Sequence, residues 1–141
     1  MMAELITTDR DQAFTLWLGV LRDPKSEKMC GALAHHFHTD QRCCLGHACH
    51  ALGLPLEQWD WRGGYGGEHS YLPARISELL DITQLGAFRE PLLIDGLKAR
   101  FESLAGLNDA SNLSPAEIAD VIEDMWKNDG FVPYAEDEYD D

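Results

Sequence analysis

The chain has 141 residues, 45% of them apolar, and its 25 acidic against 11 basic residues give a formal net charge of −14 at pH 7. This length and apolar content fit one globular domain and leave no room for a second. No stretch approaches the ~18 apolar residues of a membrane span, and residues 1–15 lack an apolar signal region, so we expect a cytoplasmic protein. We expect residues 1–134 to form the domain and residues 135–141 to form a solvated acidic tail.

The acidic excess limits the classes of partner that the protein can bind. A strongly negative surface repels phosphate backbones, so the charge excludes direct binding to nucleic acid and favours a protein partner with a basic surface. The alternative is that the acidity only keeps a small protein soluble.

A helix is predicted over residues 8–22, with Thr8 and Asp11 resembling a capping box and Pro24 stopping the helix. Apolar residues recur along it at helical spacing. Trp17 lies on this apolar stripe and is interpreted as a core anchor.

Two short apolar runs, residues 29–34 and 41–45, predict a β-hairpin within residues 28–45. A short helix is expected to follow from Leu45 or Gly46 to Leu52. Residues 59–71 contain glycines and aromatic residues without an apolar period, which predicts a long loop.

The second half of the chain is predicted to be helical. Pro73 is expected in the first turn of one helix, and residues 92–104 have apolar residues at helical spacing. The clearest helix follows Ser114, with Pro115 at its first position and Glu117 completing a capping box. The predicted fold class is therefore α+β, a mainly helical single domain with a small β-hairpin.

Nine of the twenty-one residues from Cys30 to His50 are cysteine or histidine. Zinc favours such ligands in closely spaced pairs, and Cys44 with His47 and His35 with His38 are the candidate pairs. The spacing matches no standard zinc finger, and Cys43 and Cys44, as neighbours on a strand, would point to opposite faces. We therefore expect no metal and no other cofactor, with the cysteines buried as small apolar residues.

Cys44 also precedes Gly46 at a predicted strand-to-helix turn, which resembles a nucleophile elbow. A helix N-terminus lowers the pKa of a thiol, and His47 or His50 could act as the base. No third catalytic residue and no oxyanion loop can be assigned, so a non-enzymatic function is favoured over a thiol- or zinc-dependent hydrolase.

The aromatic loop suggests a different site. Aromatic side chains can stack on bases or sugars. Trp59, Trp61 and Tyr65, beside a turn at Asn108 and Asp109, form the predicted binding set for a small ligand such as a nucleotide signal.

Several short motifs occur together in this chain. A Trp17 helix precedes Cys43-Cys44-Leu45-Gly46, and Leu107-Asn108-Asp109 precedes the segment from Glu117 to Glu123 that reads EIADVIE. In this order the motifs resemble a family of small uncharacterised bacteriophage and prophage proteins, over nearly the whole chain except the tail. That family has the cysteines without the histidines, so the resemblance argues against a shared zinc site.

The resemblance implies a phage protein that acts in the host cell. Together with the acidic charge, it favours an accessory protein that inhibits or modulates a host protein, such as a defence nuclease, by binding its basic surface. A small-ligand binding protein and a hydrolase remain the alternatives.

Overall fold

The computed structural model describes residues 4–29, 32–35, 41–58, 62–68, 70–94 and 99–136. It confirms the predicted α+β class, with mainly helical content. The helices are α1 (Arg10–Leu21), α2 (Cys44–Ala51), α3 (Ala74–Leu80), α4 (Leu104–Ala110) and α5 (Pro115–Lys127), followed by a 3₁₀ turn at Tyr134–Glu136.

Seven strands form two small sheets in the described residues. They are β1 (Glu27–Lys28), β2 (Ala34–His35), β3 (Gln41–Arg42), β4 (Glu57–Gln58), β5 (Arg62–Gly64), β6 (Ala87–Ile94) and β7 (Ala99–Ser103). The first sheet has the order β1-β3-β2-β5-β4, with β1 and β3 parallel and the other pairs antiparallel. Strands β6 and β7 form a separate antiparallel hairpin.

Helix α1 forms where its apolar stripe predicts, and Trp17 is completely buried. The predicted cap at Thr8 is wrong, because the helix begins at Arg10 and Asp9 is its N-cap. The Asp9 carboxylate accepts from the backbone N–H of Asp11 at 2.9 Å. A carboxylate satisfies the unpaired first-turn amides and interacts favourably with the positive helix end, which explains the start one residue later.

The predicted features of α5 are confirmed. The Ser114 side chain accepts from the backbone N–H of Glu117, and the Glu117 carboxylate accepts from the backbone N–H of Ser114, which completes the capping box. Ile118 and Ile122 are buried, so the helix turns one apolar face inward.

The hairpin predicted over residues 28–45 is confirmed in its pairing and wrong in its extent. Ala34 of β2 pairs with Arg42 of β3, so the two segments are antiparallel neighbours. Cys44 and Leu45 belong to α2 instead of a strand, because Cys43 already acts as the helix N-cap. The expectation that Cys43 and Cys44 point to opposite faces of a strand is therefore wrong.

Two expectations for the middle of the chain are also corrected. Strand β5 lies inside the segment predicted to be a loop, since the backbone at Gly63 pairs with β2 and β4. Pro73 is the N-cap of α3 and not its first helical residue.

The helix predicted over residues 92–104 is wrong, because these residues belong mainly to the β6–β7 hairpin. Arg100, Phe101 and Glu102 are exposed, buried and exposed in turn, which is the period of a strand. Gly86 precedes the hairpin with a φ of 69°, and its backbone packs against the Leu104 side chain. The chain then enters α4, which replaces the expected turn at Asn108 and Asp109.

Trp17 and Trp126 anchor the core to different degrees. The Trp17 indole Nε1 donates to the Cys44 carbonyl at 2.8 Å, and its ring lies 5.8 Å from that of Phe14. Trp126 is partly buried and stacks on Phe14 at 5.0 Å, while its Nε1 donates to the exposed Asp11 carboxylate. In the described residues, no helix combines the length and apolar character needed to span a bilayer.

We predict that Trp17→Phe lowers the free energy of unfolding by about 1 to 3 kcal/mol, because it leaves a void and removes a buried hydrogen bond. The matched change Trp126→Phe should cost less than about 1 kcal/mol, since the ring stack survives and water replaces the exposed hydrogen bond. Urea unfolding of both variants measures the difference. Equal costs would contradict the assignment of Trp17 as the main anchor.

Candidate functional site

The cysteine-rich turn lies at the start of α2, directly after β3. The Cys43 thiol is the N-cap and accepts from the backbone N–H of Gly46 at 3.4 Å. Gly46 packs against the backbone of Leu33, and a Cβ at this position would collide with the Leu33 carbonyl. A larger residue would force β2 and α2 apart, which explains the need for glycine in this turn.

Cys44 takes part in three hydrogen bonds that leave its backbone fixed. Its N–H donates to the Asn108 side-chain oxygen at 2.9 Å, and its carbonyl accepts from the Trp17 indole. Its thiol approaches the Leu104 carbonyl at 3.7 Å. Residues from α1, α2 and α4 therefore meet at one residue, which is 1% exposed.

Asn108 extends this network to the strand region. Its amide nitrogen donates to the Met29 carbonyl at 2.7 Å and to the Asp109 carboxylate at 3.0 Å. The side chain is completely buried, so its hydrogen bonds to Cys44 and Met29 hold separate segments together. The structure thus brings the Cys43–Gly46 motif and the Leu107–Asp109 motif into direct contact, as part of the fold.

His47 is buried one helical turn after Cys43. Its Nε2 lies 2.9 Å from the Glu27 carbonyl, so Nε2 carries the proton and donates to β1. Of the other alternative metal ligands, His38 and the side chain of His35 lie outside the described residues. Within the part of the chain that the structure describes, His, Cys, Asp and Glu side chains form no group of three or more suited to hold a metal ion.

The buried thiols are poor candidates for nucleophiles. Burial raises the pKa of the Cys44 thiol well above its usual range, and the neighbouring Cys43 and Asp109 raise it further. Burial likewise raises the pKa of Cys49. A higher pKa means less thiolate at neutral pH, and the reactive form is the thiolate. The position of Cys44 at the start of a helix fits an elbow, but its burial does not fit catalysis.

The residues predicted to bind a small ligand are found in different environments. Trp59 and Trp61 lie outside the described residues. Tyr65 and Asn108 are completely buried, whereas Asp109 is exposed. The Tyr65 hydroxyl accepts from Nε of Arg42 at 2.9 Å. Ligand binding by this set stays a prediction, and the buried Arg42 is a residue that the sequence reasoning missed.

An open groove of about 490 Å³ lies between β6 and the end of α5. It is lined in part by Pro91, Leu93 and Met125. The Arg89–Asp129 ion pair, at 3.5 Å, borders it. Among the candidate ligands and binders that the structure describes, none lines this groove.

Compared with models of protein families, with curated proteins and with solved structures, the chain matches none. The resemblance to phage proteins therefore stays a prediction. The chemistry of the chain's own residues has to carry any functional conclusion.

We predict that Cys44 and Cys49 in the native protein react with iodoacetamide far more slowly than free cysteine at pH 8, because burial limits both access and ionisation. Both should react fully once the chain is unfolded in guanidinium chloride. Mass spectrometry of peptides after timed labelling measures the two rates. Rapid labelling of native Cys44 would restore the hydrolase alternative.

Proposed function

We propose that this protein is an accessory binding protein that attaches to a basic surface on another protein and thereby inhibits or modulates it. The setting suggested by the phage resemblance is the cytoplasm of a host cell, with a host defence protein as the partner. The observation that carries the proposal is the way in which the fold distributes its charged side chains.

Much of the basic charge is used within the fold. Arg10 donates to the Leu80 carbonyl and lies over the Phe14 ring, and Lys28 donates to the Ser111 carbonyl. Arg22 pairs with acids of α5, Lys127 with Glu123, Arg89 with Asp129, and Arg42 is buried. Arg22, Arg89 and Lys127 remain partly exposed, and each of their ion pairs offsets the carboxylate that it contacts. The charge that the protein presents is therefore the formal net charge of the sequence, −14.

The exposed side of α5 concentrates the opposite charge. Glu117, Asp120 and Asp124 follow the spacing i, i+3, i+7 and so share one face, opposite the buried Ile118 and Ile122. We call these three residues the α5 acidic face. The Asp120 carboxylate also pairs with Arg22 of α1 at 2.9 Å, so Glu117 and Asp124 are the members of this face without an ion pair among the described residues.

Two further exposed acids, Asp9 and Asp11, lie at the start of α1. The Trp126 indole donates to the Asp11 carboxylate, so the start of α1 lies beside the end of α5. The α5 acidic face and the acids of α1 thus lie on two packed helices, so a partner that binds them does not have to order a disordered segment.

An acidic face on a rigid scaffold acts mainly by electrostatic steering. Complementary charge raises the rate of encounter and selects among partners, while salt weakens the effect. A protein attached in this way could occupy a groove that otherwise holds nucleic acid, which would give inhibition without any catalytic step.

We expect Asp120→Asn with Asp124→Asn to slow association with a captured host partner by about tenfold at low salt. The matched control, Glu78→Gln with Glu102→Gln, removes the same charge from exposed positions on α3 and β7 and should bind nearly as the wild type does. Capture from a bacterial lysate supplies the partner, and surface plasmon resonance at two ionic strengths measures the rates.

A second control separates the folded surface from the tail. Truncation after Tyr134 removes five acids and keeps the α5 acidic face, so most of the affinity should remain. If association slowed equally in both double variants, net charge alone would explain the effect, without a role for the α5 acidic face. If the affinity did not change with salt concentration, binding would not be electrostatic.

A further inference from the structure

Arg42 is a buried cation on β3, a strand that pairs with a neighbouring strand on each side. It lies on β3 between Lys28 of β1 and Ala34 of β2, and only 7% of its surface is exposed. Its Cβ also faces the start of α2, near Gly46. Arginine is rarely buried to this degree unless a partner offsets its charge.

The charge of Arg42 has no such partner among the residues that the structure describes. Nε donates to the Tyr65 hydroxyl at 2.9 Å, and this oxygen is neutral. Within the described ranges, the ion pairs involve other cations, and the two terminal nitrogens of the guanidinium have no protein acceptor. In the described part of the chain, neither nitrogen is among the fully buried atoms that lack a partner, so this end of the guanidinium keeps some access to solvent and an anion can reach it.

Tyr65 contributes a second donor at the same place. Burial raises the pKa of its hydroxyl, an effect that the Arg42 charge opposes, so the phenol stays protonated at neutral pH. Its oxygen accepts from Arg42, and the hydroxyl hydrogen has no acceptor among the described residues. A guanidinium edge and a hydroxyl therefore lie side by side, and each has hydrogens left to donate to a further group.

We propose that Arg42 and Tyr65 form a binding site for the oxyanion of a small molecule, a carboxylate or a phosphate group. A planar guanidinium edge binds such groups through two parallel hydrogen bonds, and the hydroxyl supplies a third. This site is separate from the acidic face. It keeps Tyr65 of the predicted ligand-binding set and replaces Asn108 and Asp109, whose contacts belong to the fold, with Arg42.

The first test titrates inorganic phosphate and, separately, acetate into the full-length protein at constant ionic strength, set with chloride. The Nε–H signal of Arg42 in ¹H–¹⁵N NMR should shift saturably, with a dissociation constant on the order of 1 mM for so small a probe. The tighter of the two probes identifies the class of ligand. The absence of a saturable shift with either probe would overturn the proposal, because Arg42 would then be satisfied within the chain.

Variants separate this site from general anion effects. Saturating phosphate should raise the midpoint of thermal unfolding in the wild type and in the exposed-cation control Arg100→Gln. Tyr65→Phe, which keeps the ring, should weaken binding about tenfold through loss of one hydrogen bond to a charged group. In the double variant Arg42→Met, Tyr65→Phe the effect of phosphate should disappear.

The double variant also tests whether Arg42 serves stability instead. Replacing a buried charge and its partner by apolar groups of similar volume is often neutral or stabilising, so without phosphate this variant should be at least as stable as the wild type. Marked destabilisation would assign Arg42 a purely structural role and overturn the proposal. If phosphate raised the unfolding midpoint of the double variant as much as that of the wild type, the proposal would also be overturned.

Discussion

The fold depends on the hydrogen bonds around the first residue of α2. The backbone N–H of Cys44 has no acceptor within its own helix, as is general for a first turn, and Asn108 supplies one from α4. The carbonyl of the same residue accepts from Trp17 of α1. The Asn108 side chain also donates to the carbonyl of Met29, the residue that follows β1. The backbone of one residue thus links three helices, α1, α2 and α4.

The cysteines contribute to this junction through size and weak polarity. Cys43 caps the helix, Cys44 fits beneath α4, and Cys49 is enclosed by the core. A small, polarisable side chain can fill such a space and still approach a backbone carbonyl. Burial raises the pKa of the Cys44 and Cys49 thiols, so the property that lets these two residues pack also limits their reactivity.

A local signal in the sequence was sufficient to place the start of α5. Ser114 and Glu117 define the start of α5 because both partners of the capping box lie within one turn. The β6–β7 hairpin was missed because apolar residues spaced for a helix hid the alternation around Phe101, and because its pairing links residues distant in sequence. Helix α4 was missed for a related reason, since its Asn108 is stabilised by contacts with Cys44 and Met29 that no local pattern reveals.

The two candidate sites also differ in how far the sequence alone could predict them. The acidic surface follows from composition, and α5 supplies the spacing that gathers part of it on one face. The contact between Arg42 and Tyr65 requires β3 and β5 to lie on either side of β2, and these strands are distant in sequence. The two proposals thus assign opposite charge preferences to two parts of one small fold, an anion to the buried Arg42 and Tyr65 and a cationic protein to the exposed acids.

Native-state hydrogen exchange of the Cys44 amide tests the central role of this junction most directly. If Asn108 holds this amide throughout the native state, it should exchange only on global unfolding, with an opening free energy equal to that measured by denaturant. The first-turn amide of Ala116 in α5, which is exposed, provides the internal comparison and should exchange rapidly. Exchange of the Cys44 amide at a rate similar to that of Ala116 would contradict the account.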